Sequence, residues 1–287
     1  RKSPLRFASL KRVEVKQGLG EHAHKAGQSL PDALAYGKLA ENPQAVLIFG
    51  PAMGIGAAYY EALCADLAEH RLHVFVIEQR GLGHRTEKPS HQYDFGYDDL
   101  VQEDLNTAVA YVEANFPQLS IVIGGHSLGA QMGMLYKARY PDRVKGVLML
   151  ASGTPHFWAH PHWRKAQLFT ASMLFDLSVA MLGYLPGKRL GFAGHEAKTL
   201  MRNWSYLCRR GQFAKGRDGF NYEVAIGEIN DRVAVVSFDT DAYAPLGAVQ
   251  AYNRKLRQAK LSHELIKSSD WGKRFDHFNW VKEGDRI

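Results

Sequence analysis

Ser120 to Gln131, SIVIGGHSLGAQ, opens with the apolar run Ile121-Val122-Ile123 and passes through Gly124-Gly125-His126-Ser127-Leu128-Gly129 into the helix-favouring run Ala130 to Arg139. A short β-branched run suits a strand buried on both faces. Gly125, Ser127 and Gly129 form a G-x-S-x-G on a strand–turn–helix, the setting of a nucleophile elbow. Crowding explains the spacing. The serine sits on a sharp, strained turn, so the residues two before and two after it approach closely, and glycine has no Cβ to clash there. The helix that follows aims its free N–H groups at the serine, where negative charge would develop.

Working outward, Ala45 to Phe49 and Leu72 to Ile77 read as buried strands upstream. A helix is expected over about 57–69 and another from Asp98 to Phe116. Val144 to Leu150 is the next strand. Alternating strand and helix implies an α/β protein with a mostly parallel, doubly wound sheet. Residues 1–45 are expected to add two antiparallel edge strands. The alternation breaks from about Pro155 to Asp231, where no strand-like run is seen, and resumes with Val233 to Phe238, a helix from Leu246 to Gln258 and a strand from His263 to Lys267. The expected organisation is a core of residues 1–154 and 232–287 with a helical lid of residues 155–231 inserted late in the sheet, over the strand ends where such sheets bind ligands. A chain of 287 residues, 46% hydrophobic, has enough apolar mass for one large core with an insertion.

A serine hydroxyl needs a base, and the base needs an orienting acid. With an elbow, both follow downstream, acid first. Past the next-to-last strand lie Asp239 and Asp241; Asp241, four residues before Pro245, is preferred and Asp239 is the alternative. After the last strand comes His277, whereas His263 starts that strand and is too early. The oxyanion donors are expected to be the N–H groups of Leu128, next to the nucleophile, and of Met53 in Pro51-Ala52-Met53-Gly54, with Ala52 as runner-up. The helix Ala166 to Leu182 is apolar nearly all round, so one face needs a partner: an acyl chain, a second subunit as in a homodimer, or a lipid surface. Phe169, Met173 and Leu174 are the candidates to line an acyl pocket.

Other readings are disfavoured. The net charge of +7 is modest and dispersed, which is no nucleic-acid signature. Ala166 to Leu185 approaches a bilayer span in length, but Gln167, Asp176, Gly183 and Pro186 make it a poor one, so no stable membrane insertion is expected. His156, His160 and His162 lie close together, yet Pro161 and the aromatic neighbours argue for a loop rather than a metal site. No turn has a P-loop ending. Cys64 and Cys208 read as reduced thiols, and with no signal-peptide pattern visible a cytoplasmic location is expected. The chemistry needs no cofactor and no metal; the expected partner is a small-molecule acyl substrate.

Taken together, the chain resembles the α/β-hydrolase superfamily from AVLIF (residues 45–49) to DHF (residues 276–278). It is most similar to a bacterial branch of serine hydrolases with a Pro-Ala-Met-Gly oxyanion loop. Arg80-Gly81-Leu82-Gly83, Gly125 to Gln131, Gly183 to Gly191, Trp204 and Cys208-Arg209 match that branch. Asp276, where the branch has glycine, and His84-Arg85, where serine is common, depart from it. The resemblance implies the α/β-hydrolase fold and serine-dependent hydrolysis of a carboxylic ester or related acyl bond by Ser127, Asp241 and His277. An acyltransferase or thioesterase would use the same three residues, and a non-catalytic ligand-binding protein could share the fold.

Overall fold

A computed structural model describes residues 30–286. Seven strands form one sheet in the order β1-β3-β2-β4-β5-β8-β9. They are β1 Leu34–Lys38, β2 Ala45–Gly50, β3 Leu72–Ile77, β4 Ser120–His126, β5 Gly146–Leu150, β8 Arg232–Phe238 and β9 Lys260–Ile266. All neighbours run parallel except β1, which pairs antiparallel with β3 at the edge. β1 is therefore one antiparallel edge strand in residues 1–45; the rest of that expectation, with Arg1, Lys2, Arg6, Lys11 and Arg12, lies outside the described residues.

Side chains alternate across the sheet, and each face has its own core. Val46, Ile48, Phe75, Ile123, Val147 and Val235 pack on one side. Leu47, Phe49, Val74, Val76, Phe238 and Ile266 pack on the other, with Tyr60 and Trp280. That alternation within uninterrupted apolar runs is what a parallel sheet covered on both faces requires. The helices α1 Glu61–Glu69, α2 Asn106–Asn115, α3 Leu128–Arg139 and α6 Leu246–Asn253 connect the strands. α2 is preceded by a wider, π-helical stretch, Leu100–Leu105. Asp104 in that stretch is buried and binds both Arg80 (3.0 Å) and Arg85 (2.8 Å), which fixes the loop leaving β3.

Two expectations shift at the end of the sheet. α6 stops at Asn253 rather than Gln258, because the chain turns so that Leu256 is buried in the core instead of riding the helix. β9 begins at Lys260, so His263 lies within the strand opposite Val235, with its Nε2 2.8 Å from Ser237 Oγ.

Between β5 and β8 the chain leaves the sheet. α4 His162–Leu182 ends at Gly183 in the left-handed conformation, and α5 Lys198–Arg210 packs against it through Phe175, Val179, Met201 and Trp204. The expected absence of strands here is corrected: Tyr184–Pro186 (β6) and His195–Ala197 (β7) form a small antiparallel ribbon. Its strands are too short for an alternating pattern to register in sequence, and it is held partly by the stacked rings of Tyr184 and His195, 3.9 Å apart. Among the described residues no helix is long and apolar enough to cross a membrane.

Candidate active site

Ser127 stands between β4 and α3 at φ 53°, a left-handed conformation that is strained for serine. Three glycines make the turn feasible. A Cβ on Gly125 or Gly129 would overlap the backbone of Gly50, so the end of β2 and both flanks of the serine pass within backbone contact. The Ser152 hydroxyl donates to the Ser127 carbonyl at 2.9 Å and holds the turn from the β5 side.

His277 and Asp241, 36 residues apart in sequence, meet in a buried pair: Nδ1 of the histidine donates to Asp241 Oδ2 at 2.8 Å. The other carboxylate oxygen accepts the N–H groups of Tyr243 (2.8 Å) and Ala244 (2.9 Å). Both acceptor atoms of Asp241 are thus committed, and the imidazole is held with Nε2 free of that pair. Asp239 does something else. Its Oδ1 accepts from the hydroxyl (2.7 Å) and N–H (3.0 Å) of Ser268 at the start of the short helix Ser268–Trp271. The Ser268 hydroxyl holds the Asp239 carboxyl below the usual range. The histidine loop is built by Asp276, whose Oδ1 accepts the N–H groups of Phe278 and Asn279, both at 2.8 Å. Trp280 Nε1 donates to the His277 carbonyl at 3.0 Å. Asp276 therefore closes its own turn.

Ser127 and His277 both line a cavity of about 710 Å³ at the carboxyl ends of the strands, without a hydrogen bond between them. The turn after β2 borders the same space. Ala52 N–H donates to Tyr60 Oη (2.9 Å), Gly54 N–H to Gln79 Oε1 (3.1 Å) and Ile55 N–H to the Ala52 carbonyl (3.0 Å). Among the described residues, the Met53 N–H has no acceptor, and neither does that of Leu128 at the head of α3. Gln79 also donates to the carbonyls of Pro51 (3.0 Å) and Ala52 (2.8 Å), so one side chain from the end of β3 fixes the whole turn.

Beneath the elbow lies a second polar pair. Tyr60 Oη is 2.8 Å from His126 Nδ1. The same hydroxyl accepts the Ala52 N–H, so it ties the turn after β2 to the strand that carries the elbow. Burial, and then the neighbouring His277, push the His126 pKa far below its ordinary value and keep it neutral. The ring lies tilted against that of His277, with centroids 4.7 Å apart. Tyr60, Gln79 and His126 carry no motif signal, since their roles follow from contacts across the sheet.

The expected pocket residues divide. Leu174 lines the cavity, but Phe169 and Met173 do not. They lie on the solvent-facing stripe of α4 with Trp163, Leu177 and Met181, because the helix turns its Ser172–Phe175–Val179 face inward. Residues that sequence reasoning did not single out for the cavity are Gln131, Arg164 and Lys188. His160 also lines it. The histidine trio is dispersed, with His156 Nδ1 bonded to the Cys208 carbonyl (3.0 Å) and His160 Nε2 to that of Thr154 (3.1 Å).

A family model described as serine aminopeptidase, S33, matches residues 41–203. Protein phosphatase methylesterase 1 of Candida albicans is 28% identical over 40% of this chain and 31% of its own. A cis-3-alkyl-4-alkyloxetan-2-one decarboxylase of Shewanella oneidensis is 30% identical over 34% of this chain and 29% of its own. These matches span less than a third of the length of either curated relative. The solved monoacylglycerol lipase of Paleococcus ferrophilus superposes with a TM-score of 0.59 at 13% identity, covering 88% of this chain and 95% of that one, a likeness of fold.

Proposed function

Because this chain belongs to the hydrolase family described as serine aminopeptidase, S33, within the α/β-hydrolase superfamily, we propose that it cleaves a carboxylic ester or related acyl bond by way of an acyl-enzyme on Ser127. The observation that carries the reading is the buried His277–Asp241 pair at 2.8 Å, opening on the same cavity as the strained Ser127. Ser127 Oγ attacks the acyl carbon while its proton passes to His277 Nε2. Asp241 holds the imidazole in the tautomer that leaves Nε2 free and stabilises the imidazolium. The tetrahedral oxyanion takes the N–H groups of Met53 and Leu128, which have no acceptor to give up. The imidazolium then protonates the leaving group, and water, deprotonated by His277, releases the acid.

Residues 155–231 act as a lid over this cavity. Leu168, Leu174, Phe175 and Trp204 give it an apolar wall suited to a small or medium acyl group. The Pro51-Ala52-Met53-Gly54 turn supports placing the chain in the bacterial branch it resembles. Two free, buried thiols, Cys64 and Cys208, fit a reducing, cytoplasmic setting. The test is labelling by a fluorophosphonate probe with peptide mapping. The adduct is expected on Ser127 and absent from Ser127→Ala, and an adduct that survives the substitution refutes the assignment.

A further inference from the structure

Three residues that line the cavity each carry a buried polar atom with no hydrogen-bond partner: Gln131 Oε1, His160 Nδ1 and Arg164 Nε. Gln131 and His160 are each only 6% exposed. A buried polar atom left unpaired is costly, so native interiors retain few of them without a reason. The chemistry of each atom is set by what its other end does. Gln131 Nε2 donates to the Gly153 carbonyl at 2.8 Å, which leaves Oε1, a pure acceptor, without a partner. His160 Nε2 lies 3.1 Å from the Thr154 carbonyl, which can only accept, so Nε2 holds the proton and Nδ1 presents a lone pair. Burial lowers the His160 pKa and favours this neutral form. The two acceptors are therefore anchored on adjacent carbonyls, 153 and 154, and Gln131 lies one helical turn after Ser127. Arg164 supplies the complement. Its Nη1 donates to the Ala242 carbonyl and its guanidinium lies over Tyr243, whose ring flanks His277, and Nε–H is left with nothing to donate to.

We propose that the acyl part of the substrate carries a neutral hydrogen-bond donor near the scissile carbonyl, an amide N–H, received by Gln131 Oε1 and His160 Nδ1, with its carbonyl taken by Arg164 Nε–H. An ammonium group is disfavoured, because no carboxylate among the described residues lines the cavity while Arg164 and Lys188 both do. A plain hydrocarbon chain would bury both acceptors and the donor unpaired. The inference rests on the proposed acyl chemistry at Ser127 and names the substrate class for that site.

The experiment compares p-nitrophenyl esters of three acids of equal chain length: N-acetyl-β-alanine, 5-oxohexanoic acid and hexanoic acid. The first two differ only by N–H in place of CH2. Leaving a buried hydrogen-bonding site unfilled predicts kcat/KM for the amide ester about 10- to 100-fold above that for the ketone. The ratio should collapse toward one in Gln131→Met combined with His160→Phe. Because the ratio is taken within each protein, loss of folded enzyme cancels, and the wild-type ratio needs no variant at all. Fluorophosphonate labelling of Ser127 with an amide-to-ketone ratio of one or below overturns the inference and leaves the serine hydrolase reading standing. An amide preference that persists undiminished in the double variant overturns the assignment to Gln131 and His160. No labelling and no turnover of any ester overturns both.

Discussion

Asp241→Asn is an unusually well-defined perturbation because the structure dictates how the new side chain must sit. Oδ1 of Asp241 accepts two main-chain N–H groups, at 2.8 and 2.9 Å. An amide nitrogen at that position would face two donors, so the asparagine oxygen must take it. The NH2 then falls at the Oδ2 position, 2.8 Å from His277 Nδ1. Two donors cannot share that contact, and Nδ1 must lose its proton to accept from the amide. The proton moves to Nε2, the atom that has to receive the Ser127 proton. The variant keeps its three hydrogen bonds, so its stability should change little. Its kcat should fall by roughly 10⁴, the scale for an imidazole trapped in the wrong tautomer, or about 5.5 kcal/mol at 1.36 kcal/mol per decade. Asp239→Asn, which alters only the contact with Ser268, should cost less than about threefold, as a surface change remote from the reacting atoms. The assay is kcat on a p-nitrophenyl ester with melting curves for both variants. A loss of less than about tenfold in Asp241→Asn with an unchanged melting temperature would refute the tautomer argument, and a larger loss in Asp239→Asn would mean that the wrong carboxylate had been assigned.

Other expectations follow from single contacts. Ser127→Gly should raise stability, since relief of backbone strain of about 1–3 kcal/mol exceeds the roughly 0.5–1 kcal/mol entropic cost of a glycine; a lower urea midpoint would show that the turn stores no strain. Glu196 sits beside Gly54 and Gly194, and burial pushes its pKa up to about 7, only partly offset by the Gly194 N–H. The folded state therefore holds a proton that the unfolded state has released between pH 4.5 and 7. Stability from this group is present at low pH and declines across that window by about 3 kcal/mol, and urea titrations should show the decline removed in Glu196→Gln; identical pH profiles would contradict it. Leu174→Trp should shorten the preferred acyl chain in a p-nitrophenyl ester series, whereas Met173→Trp, which does not line the cavity, should not. Equal effects of the two would mean that the lid does not line the acyl site as described.

The sequence by itself determined the fold class. Apolar runs such as AVLIF and LHVFVI are strongly periodic signals, and the glycines of GHSLG mark a backbone approach that only glycine permits, here against Gly50. It also ranked Asp241 above Asp239 and His277 above His263, because strand order constrains where a residue can reach the serine. What it could not decide was direction. The stripe of α4 holding Phe169 and Met173 looks as apolar as the face holding Phe175 and Val179, and only packing against α5 selects which turns inward. Nor could it find Tyr60, Gln79 or His126, whose partners lie on other strands. The same holds for the unpaired atoms of Gln131, His160 and Arg164. A hydrogen bond that is missing becomes visible only when every neighbour is in place, because satisfaction of a buried polar group is a property of the assembled interior and not of local residue order.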